Sequence, residues 1–154
     1  MLRLNHIITL CILFAFTGCG CSPEDPNKKG KDDGGKGSTP EVTKLTYTIN
    51  LTNKNSDGYY IGKVGEKITI KAAATGPKKD EVKWINHTTL KRGVITDVNV
   101  INSQERGTSE EFSFTPTGPA KLIITCEPAK QETKNGVKLY EGKQEFKIEV
   151  EAST

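Results

Sequence analysis

The sequence predicts an all-β protein whose strands form a single sandwich of two packed sheets. Seven short stretches alternate apolar and polar residues with a period of two, which is the pattern of strands that bury one face. Glycine, proline and asparagine lie between these stretches, and these residues favour turns. No stretch of about ten residues keeps the 3.6-residue period of an amphipathic helix. The patterns therefore predict about seven strands around a shared apolar core.

The predicted strands carry a few residues that indicate the core. Trp84 is the single tryptophan, and we expect it at the centre because aromatic side chains bury the largest areas. Cys126 alternates in phase with Leu122 and Ile124, which predicts a small buried hydrophobe. Tyr59-Tyr60 is expected in an early strand with one ring buried, the alternative being a sugar-stacking or partner-binding pair. The seven predicted strands centre on residues 45–51, 68–72, 82–84, 94–100, 112–114, 122–126 and 146–150.

The pairing of the last two strands follows from their faces. Asn135-Gly136 is a strong signal for a two-residue hairpin turn. A regular hairpin around this turn would set Cys126 opposite Glu145 and would mix buried and exposed faces. A shift of one residue sets Cys126 opposite Phe146 and keeps apolar residues together. We therefore predict this register, with a one-residue bulge near Gly142.

The N-terminal residues have the pattern of an export signal. Arg3 carries the only side-chain charge before an uncharged apolar run from Ile7 to Phe16. That run is too short to span a bilayer, which takes about 20 apolar residues, but it fits the apolar region of a signal peptide. It ends in Phe16-Thr17-Gly18-Cys19, which resembles the lipobox of bacterial lipoproteins.

The resemblance to bacterial lipoproteins implies a signal peptide at residues 1–18 and cleavage between Gly18 and Cys19. It also implies that Cys19 carries fatty-acyl chains such as palmitate, which would make the membrane a partner. Two or three chains anchor a protein stably, whereas one chain holds only marginally. The implied location is the bacterial cell envelope, at the outer membrane. An ordinary secretory signal and a mature chain that begins at Cys21 are the alternatives.

A flexible linker is predicted at residues 19–42, before a domain at residues 43–154. Between Ser22 and Glu41 the chain has prolines, glycines and charges but no large apolar residue. Such a stretch cannot bury enough apolar surface to offset the entropy of ordering. As a flexible coil it reaches about 25 Å. Glu24-Asp25 resembles the acidic export signals of surface-exposed lipoproteins, and ordinary linker composition explains it equally well.

Charge and residue types narrow the function classes. Without Arg3, 21 basic residues face 19 acidic ones, a balance that argues against a nucleic-acid partner. His87 is the only histidine after the predicted signal peptide, and we expect it in an exposed loop. It cannot complete a Cys/His metal site, and no His-based catalytic triad is recognisable. We therefore predict no enzyme activity, no metal and no cofactor.

Three segments of the predicted domain resemble bacterial immunoglobulin-like and PKD-like domains. The segments 64–70, 82–84 and 118–124 are similar to strands B, C and F of those domains. The resemblance implies an immunoglobulin-like β-sandwich, whose B–C and F–G connections share one end. We expect any binding surface for an unknown protein or glycan partner at that end. The candidate binding residues are Thr75, Gly76, Pro77, Lys78, Lys79, Pro128, Lys130, Lys134 and Asn135.

A second resemblance is to the chagasin-type inhibitors of cysteine proteases. These inhibitors are also immunoglobulin-like and present three loops to the protease cleft. The order of elements is similar from Val64-Gly65-Glu66 through Trp84 and Arg106-Gly107-Thr108 to the loop after Cys126, but the loop motifs differ. The sequence thus predicts a binding or structural module without catalytic activity, with a chagasin-like inhibitor or another host-interaction protein as the alternative.

Overall fold

The computed structural model describes residues 38–153. The predicted signal peptide, the lipid-attachment residue Cys19 and residues 19–37 of the predicted linker lie outside the described residues. Within residues 38–153, a four-stranded and a five-stranded sheet pack against each other, and a two-stranded hairpin is separate from both. The prediction of an all-β sandwich is therefore confirmed.

The described residues form strands of two length classes and one helical turn, α1 (Val98–Ile101). The seven strands of three residues or more match the predicted number, although they are not the same seven. The longer strands are β1 (Thr43–Ile49), β2 (Tyr60–Lys63), β3 (Ile68–Thr75), β4 (Lys83–Gly93), β6 (Phe112–Phe114), β7 (Ala120–Pro128) and β11 (Gln144–Glu151). The two-residue strands are β5 (Arg106–Gly107), β8 (Thr133–Lys134), β9 (Val137–Lys138) and β10 (Tyr140–Glu141).

The strand order follows the immunoglobulin pattern. The first sheet has the order β10-β1-β3-β6, and the second has the order β2-β11-β7-β4-β5. Neighbouring strands are antiparallel except for β1–β10 and β2–β11, which are parallel. In the immunoglobulin order, β1, β3 and β6 correspond to strands A, B and E, and β4, β7 and β11 correspond to C, F and G. The segments that resemble strands B, C and F therefore form β3, β4 and β7.

The inner faces of the two sheets form the core. Leu122, Ile124 and Cys126 of β7 are fully buried, which confirms the predicted face of this strand. The ring of Trp84, also fully buried, lies 5.6 Å from the ring of Tyr47 across the sandwich. Trp84 therefore packs one sheet against the other, as the sequence predicts.

The tyrosine pair marks the start of β2. Tyr60 begins the strand, and its half-buried ring lies 6.1 Å from the ring of Phe146. Tyr59 precedes the strand and is half-buried, with the ammonium of Lys121 4.2 Å from its ring centroid. The predicted early strand is confirmed for Tyr60, whose half-buried ring packs against the core, but Tyr59 lies before the strand and neither ring is fully buried.

The predicted strand at residues 94–100 is wrong. This segment ends in the helical turn α1, and the Asp97 carboxylate caps the turn by accepting a backbone N–H two residues later, at 2.9 Å. Val100 is buried, whereas Val94 and Val98 are 68% and 63% exposed. The alternating valines therefore do not reflect a buried strand face.

The register of β7 and β11 differs by two residues from the predicted one. Cys126 lies opposite Gln144, and Ile124 lies opposite Phe146, whereas Cys126 was expected opposite Phe146. Apolar residues still face apolar residues, because a shift of two residues keeps every side chain on its own face. The turn at Asn135-Gly136 is present, with φ angles of 51° and 77°, but it joins the short strands β8 and β9.

The irregularity near Gly142 is a change of sheet and not the predicted one-residue bulge. β10 pairs with β1 in the first sheet, and β11 pairs with β7 in the second. Gly142 lies between them with φ 125°, and a side chain there would overlap the carbonyl of Leu45. Glycine is therefore required where the polypeptide passes from the first sheet to the second. Because of this passage, the register of β7 and β11 does not depend on the turn between β8 and β9.

The connections divide between two ends of the sandwich. One end contains residues 76–82 between β3 and β4 and residues 129–143 between β7 and β11; we call it the loop end. β1 starts there, since the Thr43 N–H donates to a carbonyl of the second connection at 2.9 Å. At the opposite end, the Val64 N–H donates to the carbonyl of Glu151 at 3.0 Å. β1 therefore begins at the loop end, and β11 finishes at the other.

Candidate binding site at the loop end

The two connections of the loop end meet at Lys78. Its ammonium lies 3.8 Å from the carboxylate of Glu132 and 5.8 Å from the ring centroid of Tyr140. Its backbone N–H donates to the hydroxyl of Thr43 at 3.1 Å. The proximity of Tyr140, together with the charge of Glu132, raises the pKa of Lys78 above its ordinary value. Lys78 thus joins the β3–β4 connection to the β7–β11 connection.

Two depressions at the loop end border the β3–β4 connection. The larger of these two, of about 400 Å³, is bordered by both connections and by residues 38–41, which precede β1. The smaller of the two, of about 170 Å³, lies between the start of β4 and the residues that follow β7. A further depression, of about 490 Å³, lies at this end between the end of β7 and residues 138–143.

The structure brings together four of the predicted binding residues. Pro77, Lys78 and Lys134 line the larger depression, and Lys130 lines the smaller one. The remaining exposed candidates belong to the same end but line neither depression: Thr75, Gly76, Lys79 and Asn135. Spacing along the chain thus placed the candidates at one end of the sandwich but did not identify which of them form concave surface.

Pro128 does not lie in the exposed connection where the sequence predicts it. It is the last residue of β7, it is buried, and it lies opposite Trp84. The predicted position was wrong because β7 continues for two residues beyond Cys126. Pro128 nevertheless lines the depression between the end of β7 and residues 138–143.

Three contributors to this end are not among the binding residues that the sequence predicts. Tyr140 is buried and lines the smaller depression, Glu132 pairs with Lys78, and residues 38–41 line the larger depression. A lone tyrosine in a lysine-rich connection could have suggested an anchoring ring. Nothing in the composition of residues 38–41 distinguishes them from the linker before them.

A third connection reaches the loop end from β5. The hydroxyl of Thr108 donates to the carbonyl of Lys79 at 3.4 Å, and the indole N–H of Trp84 donates to the carbonyl of Gly107 at 2.9 Å. The β5–β6 connection is therefore fixed to the β3–β4 connection above the core. Three connections, and not two, are available at this end.

A buried cation supports these connections. The Arg106 guanidinium lies 5.0 Å from the ring centroid of Phe112 and 5.6 Å from that of Trp84, and it donates to the side-chain carbonyl of Asn86. Burial lowers the pKa of Arg106 from its ordinary value, but the group stays charged at neutral pH. The arrangement fixes β5 beneath the loop end.

The charges at the loop end are mixed in sign. Lys79 lies 3.3 Å from Asp80, and Lys78 lies 3.8 Å from Glu132. A protein that binds a polyanion presents a basic patch instead.

His87 takes part in a chain of hydrogen bonds on the outer face of the second sheet. It is exposed, as expected, but it lies in β4 and not in a loop. Its Nδ1 is 3.1 Å from the hydroxyl of Ser103, and its Nε2 is 3.3 Å from the carboxylate of Glu127. Glu127 also pairs with Lys143 at 3.5 Å, and the imidazole faces water. We interpret this chain as holding the segment after α1 against β4.

The remaining side chains that could react or bind a metal are buried or do not form a cluster. Burial raises the pKa of the Cys126 thiol to about 12, so the thiol stays protonated at neutral pH, and its sulfur forms no disulfide with another described residue. Among residues 38–153, no three His, Cys, Asp or Glu side chains are grouped so that they could hold a metal ion.

The two packed sheets and their strand order define the class of protein, an all-β sandwich with immunoglobulin-like connections. No family model, curated protein or solved structure matches the chain. In the part of the chain that the structure describes, no helix has the length and apolar character needed to cross a membrane.

Proposed function

We propose that the protein is a lipid-anchored binding or structural module of the bacterial cell envelope, without catalytic activity of its own. The observation that supports this most directly is the contact of Lys78 with Glu132 and Tyr140. This contact makes one surface from connections that are far apart in the chain. Rigid strands that carry loops at one end are a common way to present a binding surface.

The anchor is proposed to be Cys19, and the membrane it enters is proposed to be the outer membrane. The supporting pattern is the charged start, the apolar run and the lipobox-like residues before Cys19. A bacterial host that expresses the full chain is fed an alkyne fatty acid, and labelling of the protein is measured. Labelling and membrane fractionation are expected to disappear in Cys19→Ser.

The chain contains its own controls for this experiment. Cys21→Ser and Cys11→Ser are expected to stay labelled and membrane-bound. Loss of labelling in Cys21→Ser with retention in Cys19→Ser would move the start of the mature chain to Cys21. No labelling of the unmodified chain would remove the anchor from the proposal. Protease shaving of intact cells then decides whether the domain faces the outside or the periplasm.

The loop end is proposed as the surface that contacts a protein or glycan partner. A photoactivatable amino acid is introduced at Lys134, which borders the larger depression, and at Lys63, which is exposed at the far end of β2. Illumination of living cells is expected to give a discrete adduct from position 134 only. Adducts of equal yield from both positions, or none from position 134, would contradict the assignment of this surface.

Inhibition of a cysteine protease is the second candidate function. The specific observation in its favour is the bond from Thr108 to Lys79, which brings a third connection to the same end, as in chagasin-type inhibitors. The test measures hydrolysis of a fluorogenic peptide by papain in the presence of the full chain. Stoichiometric inhibition would favour this candidate, and full activity at about 10 μM of the chain would reject it for papain-like proteases.

A further inference from the structure

The second half of β4 is an open edge of the second sheet. β5 pairs with β4 only at Lys83 and Trp84. The hydrogen bond between Ser103 and His87 holds the segment after α1 against the middle of β4. Beyond that point, residues 88–93 pair with β7 on one side. No strand among the described residues pairs with them on the other side.

The backbone groups that face this edge can be identified from the register. The N–H of Ala129 donates to the carbonyl of Lys83 at 2.9 Å, so Lys83 directs its backbone groups toward β7. Alternate residues of an antiparallel strand direct their backbone groups to the same neighbour. Thr89 therefore faces β7, and Thr88 and Leu90 present their N–H and C=O groups to the open edge.

The exposed large apolar side chains of the described residues lie beside this edge. Leu90, Val94, Val98 and Ile101 are 45%, 68%, 63% and 60% exposed. A groove of about 270 Å³ runs between Leu90 of β4 and Ile101 of α1, with Val100 among its walls. Exposed apolar side chains beside an unpaired strand edge form a surface on which another strand can pair.

The charges along the strand have one sign. From residue 82 to residue 96 the chain has Lys83, Lys91 and Arg92 and no acidic residue. Arg92 lies opposite Lys121 on β7, whose ammonium is paired with Glu149 at 3.4 Å. Within the described residues, neither Lys91 nor Arg92 forms a salt bridge. A strand that pairs here would therefore meet two cationic side chains, Lys91 and Arg92, that have no salt-bridge partner among the described residues.

We infer that residues 88–93 bind an extended acidic segment of another polypeptide as an added strand. Its backbone would bond to Thr88 and Leu90, one apolar side chain would enter the groove beside Ile101, and its carboxylates would meet Lys91 and Arg92. Main-chain bonds supply affinity in this mode of recognition, and the pockets for alternate side chains supply specificity. The site is separate from the loop end and does not depend on what the loop end binds.

A second copy of this chain fits the edge poorly. Pairing of two β4 strands would bring Lys91 and Arg92 of both copies to one short edge, and residues 82–96 contain no acidic residue to offset them. Like charges on paired strands are destabilising. The same charges favour an acidic partner, and we therefore assign one.

The test measures binding of two labelled peptides by fluorescence anisotropy to the full chain in phosphatidylcholine nanodiscs. One peptide alternates valine and threonine and has two glutamates at each end, and the matched peptide has lysines in their place. The acidic peptide is expected to bind at least about tenfold more tightly than the lysine peptide. The K91E/R92E double variant is expected to reverse this preference.

Two single variants separate the backbone from the charge. Leu90→Pro removes one edge-facing N–H and leaves the bonds to β7 in place, so affinity for the acidic peptide is expected to fall at least about tenfold. Lys63→Glu, on the opposite edge of the same sheet, is the control and is expected to bind normally. If Leu90→Pro does not fold, the inference is tested by whether K91E/R92E reverses the preference for the acidic peptide over the lysine peptide.

Three results would overturn the inference. The first is equal affinity for the acidic and lysine peptides, or no binding of either. The second is unchanged binding of the acidic peptide to K91E/R92E. The third is a dimer in sedimentation that Leu90→Pro dissociates, since a second copy would then occupy the edge.

Discussion

The two halves of β4 have the same strand geometry but opposite environments. Trp84 and Asn86 in the first half are fully buried, whereas Leu90 in the second half is 45% exposed. The first half is covered by Tyr47 and by Arg106, and the second half has an unpaired edge. The neighbours of a strand therefore decide whether its apolar residues stabilise the fold or remain available to a partner. The alternation of apolar and polar residues along the strand does not decide this.

The largest expected effect comes from removing the ring of the covered half. Trp84→Ala leaves a cavity between the sheets and removes the bond to Gly107, and it should lower the free energy of unfolding by about 3–5 kcal/mol. Urea denaturation followed by far-UV circular dichroism measures this. Leu90→Ala, in the open half, is the control and should cost less than about 1 kcal/mol.

A cooperative, wild-type-like melt of Trp84→Ala would contradict its position at the centre of the core. Equal losses from both variants would remove the contrast between the two halves.

The next prediction concerns Gly93, an exposed residue of the open half at which a substitution should nevertheless be destabilising. Gly93 ends β4 with φ 86°, and a side chain there would overlap the backbone of Pro119 and Ala120. Gly93→Ala should therefore cost more than about 2 kcal/mol, although the position is exposed. Gly136→Ala is matched in backbone angle, with φ 77°, but has no atom within 4 Å, so about 1 kcal/mol is expected from backbone strain alone.

Thermal melts of the two glycine variants measure the difference. Similar melting temperatures would mean that β4 and β7 can separate at Gly93, and that the open half is more mobile than its register indicates.

Alkaline pH should lower the free energy of unfolding through the buried thiol of Cys126 in the covered half. Burial raises the pKa of the Cys126 thiol from 9.0 to about 12, and Cys126 lies opposite Asn86. The unfolded chain releases this proton near pH 9 and the folded chain keeps it, so the contribution is complete below pH 9 and is lost between pH 9 and 12. The loss should reach about 2 kcal/mol at about pH 10.5.

Urea denaturation of the unmodified chain and of Cys126→Ala is measured below pH 9 and at about pH 10.5. The comparison isolates the contribution of the thiol, because the lysines titrate in both proteins. The variant should lose about 2 kcal/mol less on going to the higher pH. An identical alkaline loss in both proteins would mean that the thiol does not titrate as its burial requires. Burial also raises the pKa of Tyr47, which acts in the same direction in both.

The smallest effect concerns charge in the open half. Arg92 lies opposite Lys121, so Arg92→Glu should raise the free energy of unfolding by about 0.2–0.5 kcal/mol. Lys63→Glu gives the opposite sign, because Lys63 lies opposite Glu151 in the register of β2 and β11. Destabilisation by Arg92→Glu would indicate that the arginine makes a packing contact that its exposure does not suggest.

Much of the fold followed from local pattern. Period-two alternation identified the inner faces of β1, β7 and β11, because each of these strands buries one face. The same rule failed at residues 94–100, where valines alternate without a sheet to cover them and Asp97 starts a helical turn. The register of β7 and β11 was missed by two residues because the chain visits the first sheet at β10, and nothing local encodes that route.

The candidate site was predictable to a lesser extent. The immunoglobulin order placed the two connections at one end, and Lys78 and Lys134 indeed line a common depression. The role of Tyr140, the burial of Pro128 and the third connection through Thr108 depend on contacts between residues that are distant in the chain. Such contacts leave no periodic trace in a single sequence.

The opposite positions of the first and last strands have a mechanical consequence. β1 starts at the loop end and β11 finishes at the other, so a force applied between Thr43 and Glu151 pulls along the strands. β1 is joined to β3 by six registered residue pairs, which would be loaded together in shear instead of opening one by one. Forced unfolding is limited by the barrier to that joint rupture, so the sandwich is expected to resist tension applied along its length.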